Sequence, residues 1–145
     1  MRLALLGLLV LAPAADAAPL AGTPSDPAAV AVADALYAGP LAAARAAGSP
    51  ADLQAWSVDL DGDGAAEIVG QIDAPFLCDE EGCVFVLRAV ADAAPDLVFH
   101  LKGAGNVAVL DTSTSGWRDL GIERSFQLGG GQTLRFDGAT YVVAR

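Results

Sequence analysis

Four carboxylates recur at alternating positions within one short stretch of the chain, Asp59-Leu60-Asp61-Gly62-Asp63-Gly64-Ala65-Ala66-Glu67. Calcium takes six to eight oxygen ligands, so its site needs several carboxylates on a chain that turns sharply. The two glycines of the stretch permit the positive φ angles of such a turn. The alternative is a metal-free turn, because Asp and Gly also dominate ordinary turns. The calcium ligands that we predict are the carboxylates of Asp59, Asp61, Asp63 and Glu67 and the backbone carbonyl of Ala65.

The stretch differs from an EF-hand at a definite place. Counted from Asp59, position 12 is Gly70, where an EF-hand needs a bidentate Glu. Residues 68 to 72 alternate as a strand rather than as an exiting helix. The stretch instead resembles the Asp-x-Asp-x-Asp-Gly-x-x-Asp/Glu loop of FG-GAP and VCBS-type extracellular β-proteins. This resemblance is limited to Trp56 to Ile72, and the chain has a single copy of the loop. It implies a structural calcium site that Glu67 closes between two strands.

The N-terminus has the pattern of a secretory signal peptide. Arg2 is followed by an apolar run from Leu3 to Leu11 and by the small-residue motif Ala15-Asp16-Ala17. We predict cleavage after Ala17, which gives a periplasmic or secreted protein of one domain with no remaining membrane span. The alternative is an N-terminal anchor or a buried strand.

The cysteines of the chain are Cys78 and Cys83, separated by Asp79-Glu80-Glu81-Gly82. An even number of cysteines in an exported chain predicts a disulfide, with two free thiols as the alternative. A zinc site needs more thiol or imidazole ligands than the chain has, because its single histidine is His100.

The charge of the chain limits its partners. The formal net charge is −10, and removal of Arg2 with Asp16 leaves it unchanged. Nucleic-acid binding rests on basic residues, so this composition argues against it. The charge would attract cations or a basic partner protein, but plain solubility is the preferred explanation of the net charge.

Residues 18–50 form an Ala- and Pro-rich segment that we predict to be a helical lead-in. A helix over Ala28 to Tyr37 is expected, with Ser25 or Asp26 as its N-cap, Pro27 in its first turn and Gly39 near its C-cap. Val30, Leu36 and Tyr37 can share part of one face, beside Val32 and Ala33. A second short helix is expected over Leu41 to Ala47, and a partly ordered segment is the alternative.

Residues 51–145 alternate short apolar runs with turn signals, which predicts a mainly β domain built as an antiparallel sandwich, a barrel or propeller-like sheets. The Gly129-Gly130-Gly131 stretch is interpreted as a hairpin connection, and Asp111 to Gly116 as a polar turn. We expect seven or eight strands, from apolar runs at residues 53–60, 68–72, 83–90, 97–101, 107–110, 120–126, 133–136 and 141–144.

A second resemblance covers the back half of the chain. Ser115-Gly116-Trp117-Arg118-Asp119-Leu120 and Arg135-Phe136-Asp137-Gly138-Ala139-Thr140-Tyr141 look like segments of a group of uncharacterised bacterial exported proteins. That resemblance implies the architecture and the compartment, and no reaction. In one interpretation Trp117 and Arg118 contact a partner. In the preferred one Trp117 fills the core while Arg118 and Asp119 lock the turn.

No residue pattern in the chain predicts catalysis. His100 is a single histidine on an expected strand, and Ser113 and Ser115 lie outside any Gly-x-Ser-x-Gly elbow. The sequence therefore favours a non-catalytic, exported calcium-binding β-domain. An envelope inhibitor or adaptor that binds a basic protein such as a lysozyme is the first alternative, and a hydrolase of unknown substrate is the second.

Overall fold

A computed structural model describes residues 18–20, 23–80, 82–124 and 131–145. The predicted signal peptide, residue 81 and most of the triple glycine lie outside these residues. The elements in chain order are β1 (Ala18–Pro19), α1 (Pro27–Ala46), β2 (Asp52–Val58), β3 (Glu67–Asp73), α2 (Pro75–Cys78), β4 (Cys83–Arg88), β5 (Asp96–Lys102), β6 (Ala104–Thr114), β7 (Trp117–Arg124), β8 (Gly131–Phe136) and β9 (Tyr141–Val143).

The strands form two antiparallel sheets, which confirms the mainly β prediction. Sheet one has the order β2-β3-β4-β5, and sheet two has the order β1-β6-β7-β8-β9. Residues from both sheets share one hydrophobic core, so the sheets pack face to face as a sandwich. The eight apolar runs correspond to β2 through β9, while the two-residue strand β1 was not predicted.

The four-stranded sheet is covered on both faces. Its strand β4 is buried without interruption from Cys83 to Leu87, because a strand between two packed layers has no solvent-facing side. Val84 and Val86 point into the core between the sheets, which we call the inter-sheet core. Cys83, Phe85 and Leu87 point the other way, into a core shared with α1 that we call the helix-side core.

Helix α1 corrects the two-helix prediction. It begins after Asp26, whose side chain accepts a hydrogen bond from the Ala28 amide, and it continues through Pro40 to Ala46. The expected stop at Gly39 and the separate helix from residue 41 are therefore wrong. Pro40 removes one helical hydrogen bond, but Tyr37 and Leu41 on either side of it are buried in the helix-side core, and this packing maintains the helix.

The buried stripe of α1 also differs from the predicted face. Leu36 and Val32 are about two-fifths exposed. The stripe contains mostly alanine, which lets the helix approach the sheet closely. Its buried members are Ala29, Ala33, Tyr37, Leu41 and Ala44.

The predicted polar turn over Asp111 to Gly116 is corrected as well. Residues 111–114 belong to β6, and only Ser115 and Gly116 form the turn to β7. Both have positive φ, 53° and 84°, as a two-residue hairpin turn matching the twist of its strands requires. The short helix α2, between β3 and β4, was not expected.

The predicted disulfide is confirmed. Cys78 ends α2 and Cys83 begins β4, and the two are bonded with their Cα atoms 5.1 Å apart. Both residues are fully buried in the helix-side core.

Candidate metal site

The acidic loop, residues 59–66, connects β2 to β3. The carboxylate of Asp59 accepts hydrogen bonds from the amides of Gly62 at 2.7 Å and Gly64 at 3.1 Å. Both glycines have positive φ, 77° and 88°, which confirms the reason for their presence. The loop is therefore wound around the side chain of its own first residue.

Three of the four predicted carboxylates converge. One oxygen each of Asp59, Asp61 and Glu67 lies within 4.8 Å of the others. Two calcium–oxygen bonds of about 2.3 to 2.6 Å can span roughly this distance, so one ion is able to contact all three residues. The donor set is entirely oxygen, which suits a hard cation such as calcium.

Asp63 and Ala65 are placed differently from the other predicted ligands. Asp63 is outside the group of three, and one of its carboxylate oxygens accepts a hydrogen bond from the Ala65 amide at 2.7 Å. Both residues line the same cavity of about 300 Å³ as Asp61 and Glu67. The structure thus brings three predicted ligands together and leaves two at the cavity wall.

Glu67 is the buried member of the group, with 3 % of its surface exposed. It is the first residue of β3, and Val69, two positions along, is part of the inter-sheet core. Burial raises the pKa of Glu67, and the negative charges of Asp61 and Asp63 raise it further, against a hydrogen bond from the Leu60 amide. A cation beside this carboxylate would offset both of the unfavourable effects.

The loop is connected to the other sheet through Leu60. Its amide donates to Glu67 at 2.9 Å, and its carbonyl accepts from the Arg118 amide of β7 at 2.7 Å. The Arg118 carbonyl in turn accepts from the Tyr141 hydroxyl of β9 at 2.7 Å. The Leu60 side chain is buried in the inter-sheet core. A chain of hydrogen bonds therefore runs from a candidate metal ligand into the five-stranded sheet.

Arg88 is a residue of the site that the sequence did not indicate. It lines the cavity together with Asp61 and Glu67, and its guanidinium carbon lies 4.8 Å from the centre of the Trp117 ring. Its position at the end of β4 next to the acidic loop follows from the pairing of β3 with β4. No local sequence signal marks that neighbourhood.

Position 70, where an EF-hand would need a glutamate, has no room for a side chain in this fold. Gly70 lies in β3 directly opposite Phe85 of β4, and a β-carbon at position 70 would overlap the Phe85 ring. Residues 67 to 73 form a strand, as predicted, and not the exiting helix of an EF-hand.

Trp117 lies in the core, as the preferred interpretation predicted. It is 6 % exposed and stacks on Phe136 with ring centres 4.4 Å apart. Arg118 and Asp119 hold the hairpin of β6 and β7, as that interpretation also predicted, and Arg118 forms its ion pair with Asp111 of β6 at 3.0 Å. Asp119 is buried and accepts a hydrogen bond from the Thr112 hydroxyl.

His100 is engaged in packing. Its Nδ1 atom is 2.9 Å from the Tyr37 hydroxyl, so it joins α1 to the edge strand β5. Burial, and then the charge of Lys102, lower the pKa of His100. Ser113 lies in β6 and Ser115 in the hairpin turn.

Comparison of the chain with protein-family models, with curated proteins and with solved structures finds no match.

Proposed function

We propose that this chain is an exported, non-catalytic β-domain whose acidic loop binds calcium, and that the bound calcium has a structural role. The observation that carries the proposal is the convergence of Asp59 and Asp61 on buried Glu67, within 4.8 Å. Carboxylates this close repel one another, and the repulsion is strongest where water is excluded. A divalent cation converts that repulsion into attraction. Magnesium suits the loop less well, because it retains most of its water ligands.

The structural role follows from where the loop is attached. Glu67 begins β3, and Leu60 joins Glu67 to β7 through its amide and its carbonyl. An ion that holds Glu67 in place would also hold the hydrogen bond between Leu60 and Arg118. Calcium would then stabilise the contact between the two sheets as well as the loop that binds it.

The test is thermal unfolding of the mature chain in chelator and in calcium. At a free calcium concentration of about one hundred times the dissociation constant, the free energy of unfolding should rise by about 2.7 kcal/mol. Glu67→Gln should abolish most of this rise. Asp34→Asn is the matched control, since it makes the same change of charge at a half-exposed position of α1 near Arg45 and should leave the calcium response intact.

Hydrogen exchange separates the structural role from simple loop binding. The Arg118 amide, which lies in the other sheet, should exchange more slowly when calcium is added. A melting temperature that ignores calcium would contradict the metal site. A calcium-dependent melting temperature with an unchanged Arg118 amide would contradict only the role between the sheets.

Export is the second part of the proposal, and it rests on the N-terminal signal pattern. N-terminal sequencing of the protein recovered from a bacterial periplasm should give Ala18 as the first residue. Recovery in the cytoplasm with Arg2 still present would contradict it.

A further inference from the structure

The most exposed large apolar side chain among the described residues is Phe76 in α2. It is 71 % exposed, whereas the other exposed large apolar residues range from 36 % to 51 %. Its neighbours behave differently, because Leu77 packs against the helix-side core and Cys78 is fully buried. The chain therefore buries Cys78 and part of Leu77 and leaves the Phe76 ring mostly in solvent.

The turn that carries Phe76 is held by backbone hydrogen bonds and by the disulfide. We call residues 73–80 the stapled turn. The amides of Leu77 and Cys78 both donate to the Ala74 carbonyl at 2.8 Å, and the disulfide to Cys83 joins the turn to β4. The Cys78 carbonyl accepts from the Gly103 amide at 3.4 Å. Because these bonds hold the backbone on which the Phe76 ring is presented, a partner that binds the ring has less of the chain to order.

The surroundings of Phe76 are acidic. Asp73, Asp79 and Glu80 are exposed carboxylates within four residues of Phe76, and the stapled turn contains no basic residue. Asp73 also lies directly opposite Asp52 in the register of β2 with β3. Like charges in opposite positions destabilise a sheet, so this edge has an electrostatic cost that a cationic partner would remove.

A small cavity beside the stapled turn fits a basic side chain. Its volume is about 220 Å³, and Asp73 and Glu80 line one part of it while residues 104–106 at the start of β6 line another. A lysine or arginine side chain that enters it would meet two carboxylates. Nucleic acid and anionic lipid surfaces would be repelled by the same charges.

We infer that the stapled turn is the docking site for a cationic protein partner. Phe76 inserts into an apolar pocket of that partner, and basic residues beside the pocket pair with Asp73 and Glu80. Aromatic side chains that fill a pocket of the partner are typical anchors of binding interfaces. This interface does not depend on the calcium site, since it shares no residue with the acidic loop. It also differs from the partner contact that was the less favoured interpretation of Trp117 and Arg118.

Selection from a phage-displayed peptide library against the calcium-loaded mature chain tests the inference. The enriched peptides should carry lysine or arginine next to an aromatic or aliphatic residue. Their affinity should fall at least about tenfold against Phe76→Ala, as expected for a hot spot, and by a similar factor against Asp73→Asn combined with Glu80→Gln. Because the Phe76 ring is in solvent, Phe76→Ala should melt at the temperature of the original chain.

Leu97→Ala is the matched control, since Leu97 lies on β5, outside the stapled turn, is 51 % exposed and should not affect peptide binding. Peptides without a basic residue, or peptides that bind Phe76→Ala as tightly as the original chain, would overturn the inference. An empty selection would overturn it as well. The same selection in chelator should give the same peptides, so a failure of the calcium proposal would be seen separately.

Discussion

The two faces of the four-stranded sheet are stabilised in different ways. The helix-side core contains mainly alanine, aliphatic side chains and a disulfide. The inter-sheet core contains the larger aromatic cluster, with Trp117, Phe136 and Tyr141 in mutual contact, and buried Glu67 lies at its edge. A disulfide needs no further partner, whereas a buried carboxylate is costly unless hydrogen bonds or a positive charge compensate for the lost water. A cation would therefore be of most use on the inter-sheet face, because that is where the buried carboxylate of Glu67 lies.

A second buried carboxylate lies near the same core. Asp119 is 2 % exposed, and one of its oxygens has no hydrogen-bond partner among the described residues. Burial, followed by the charges of Glu67 and Asp119, raises the pKa of Tyr141. Negative charge is therefore concentrated on one side of the sheet, where the hydroxyl of Tyr141 is used as a donor to β7.

The largest effect should come from removing the aromatic centre of the inter-sheet core. Trp117→Ala should lower the free energy of unfolding by about 3 to 5 kcal/mol, because it deletes a large buried ring. Urea unfolding measures this loss. Val32→Ala, on the exposed side of α1, is the control and should change little. A loss below about 1 kcal/mol would favour the interpretation in which Trp117 contacts a partner.

A smaller effect should come from the helix-side core. Replacing both Cys78 and Cys83 with alanine should cost about 2 kcal/mol, the value expected for closing so short a loop. The calcium response of the double variant should remain, because the disulfide and the acidic loop lie on opposite faces of the sheet. Urea unfolding with and without calcium checks both statements. Loss of the calcium response would show that the two faces are not independent.

The smallest effect should be a pH dependence on the helix side. In the folded protein the pKa of His100 lies below its ordinary value of 6.5. As the pH falls below 6.5, His100 therefore takes up a proton more readily in the unfolded chain than in the folded protein. The contribution of neutral His100 to the free energy of unfolding is fully present above about pH 6.5. It is lost as the pH falls toward the pKa of His100 in the folded protein. Unfolding in chelator at about pH 7.5 and pH 5 should show a larger decrease for the original chain than for His100→Gln. Equal decreases would contradict it.

The strands could be predicted because their side chains alternate, and β4 because a short apolar run fits a strand covered on both faces. The course of α1 could not. Gly39 and Pro40 are local stop signals, and only the packing of Leu41 and Ala44 on the distant sheet shows that the helix continues past them. The same reasoning applies to the buried stripe, in which Ala33 is buried and the larger Leu36 is exposed.

The part of the candidate site that lies within the acidic loop could be predicted from the type and spacing of its residues. Asp59, Asp61 and Glu67 lie close in sequence, and their convergence follows from a loop wound around its own side chain. Arg88 and the bond from Leu60 to Arg118 depend on pairing between distant strands, which short-range patterns do not contain. Phe76 was missed because exposure of a single aromatic residue depends on the whole fold.

The contact between Gly70 and Phe85 restricts which residues can occur at these two positions in related sequences. The ring occupies the space that a β-carbon at position 70 would need, so the two positions cannot vary independently. Among descendants of a common ancestor, a side chain at position 70 should occur together with a smaller residue at position 85. Such paired exchange would identify distant relatives of this chain even where the acidic loop has been lost.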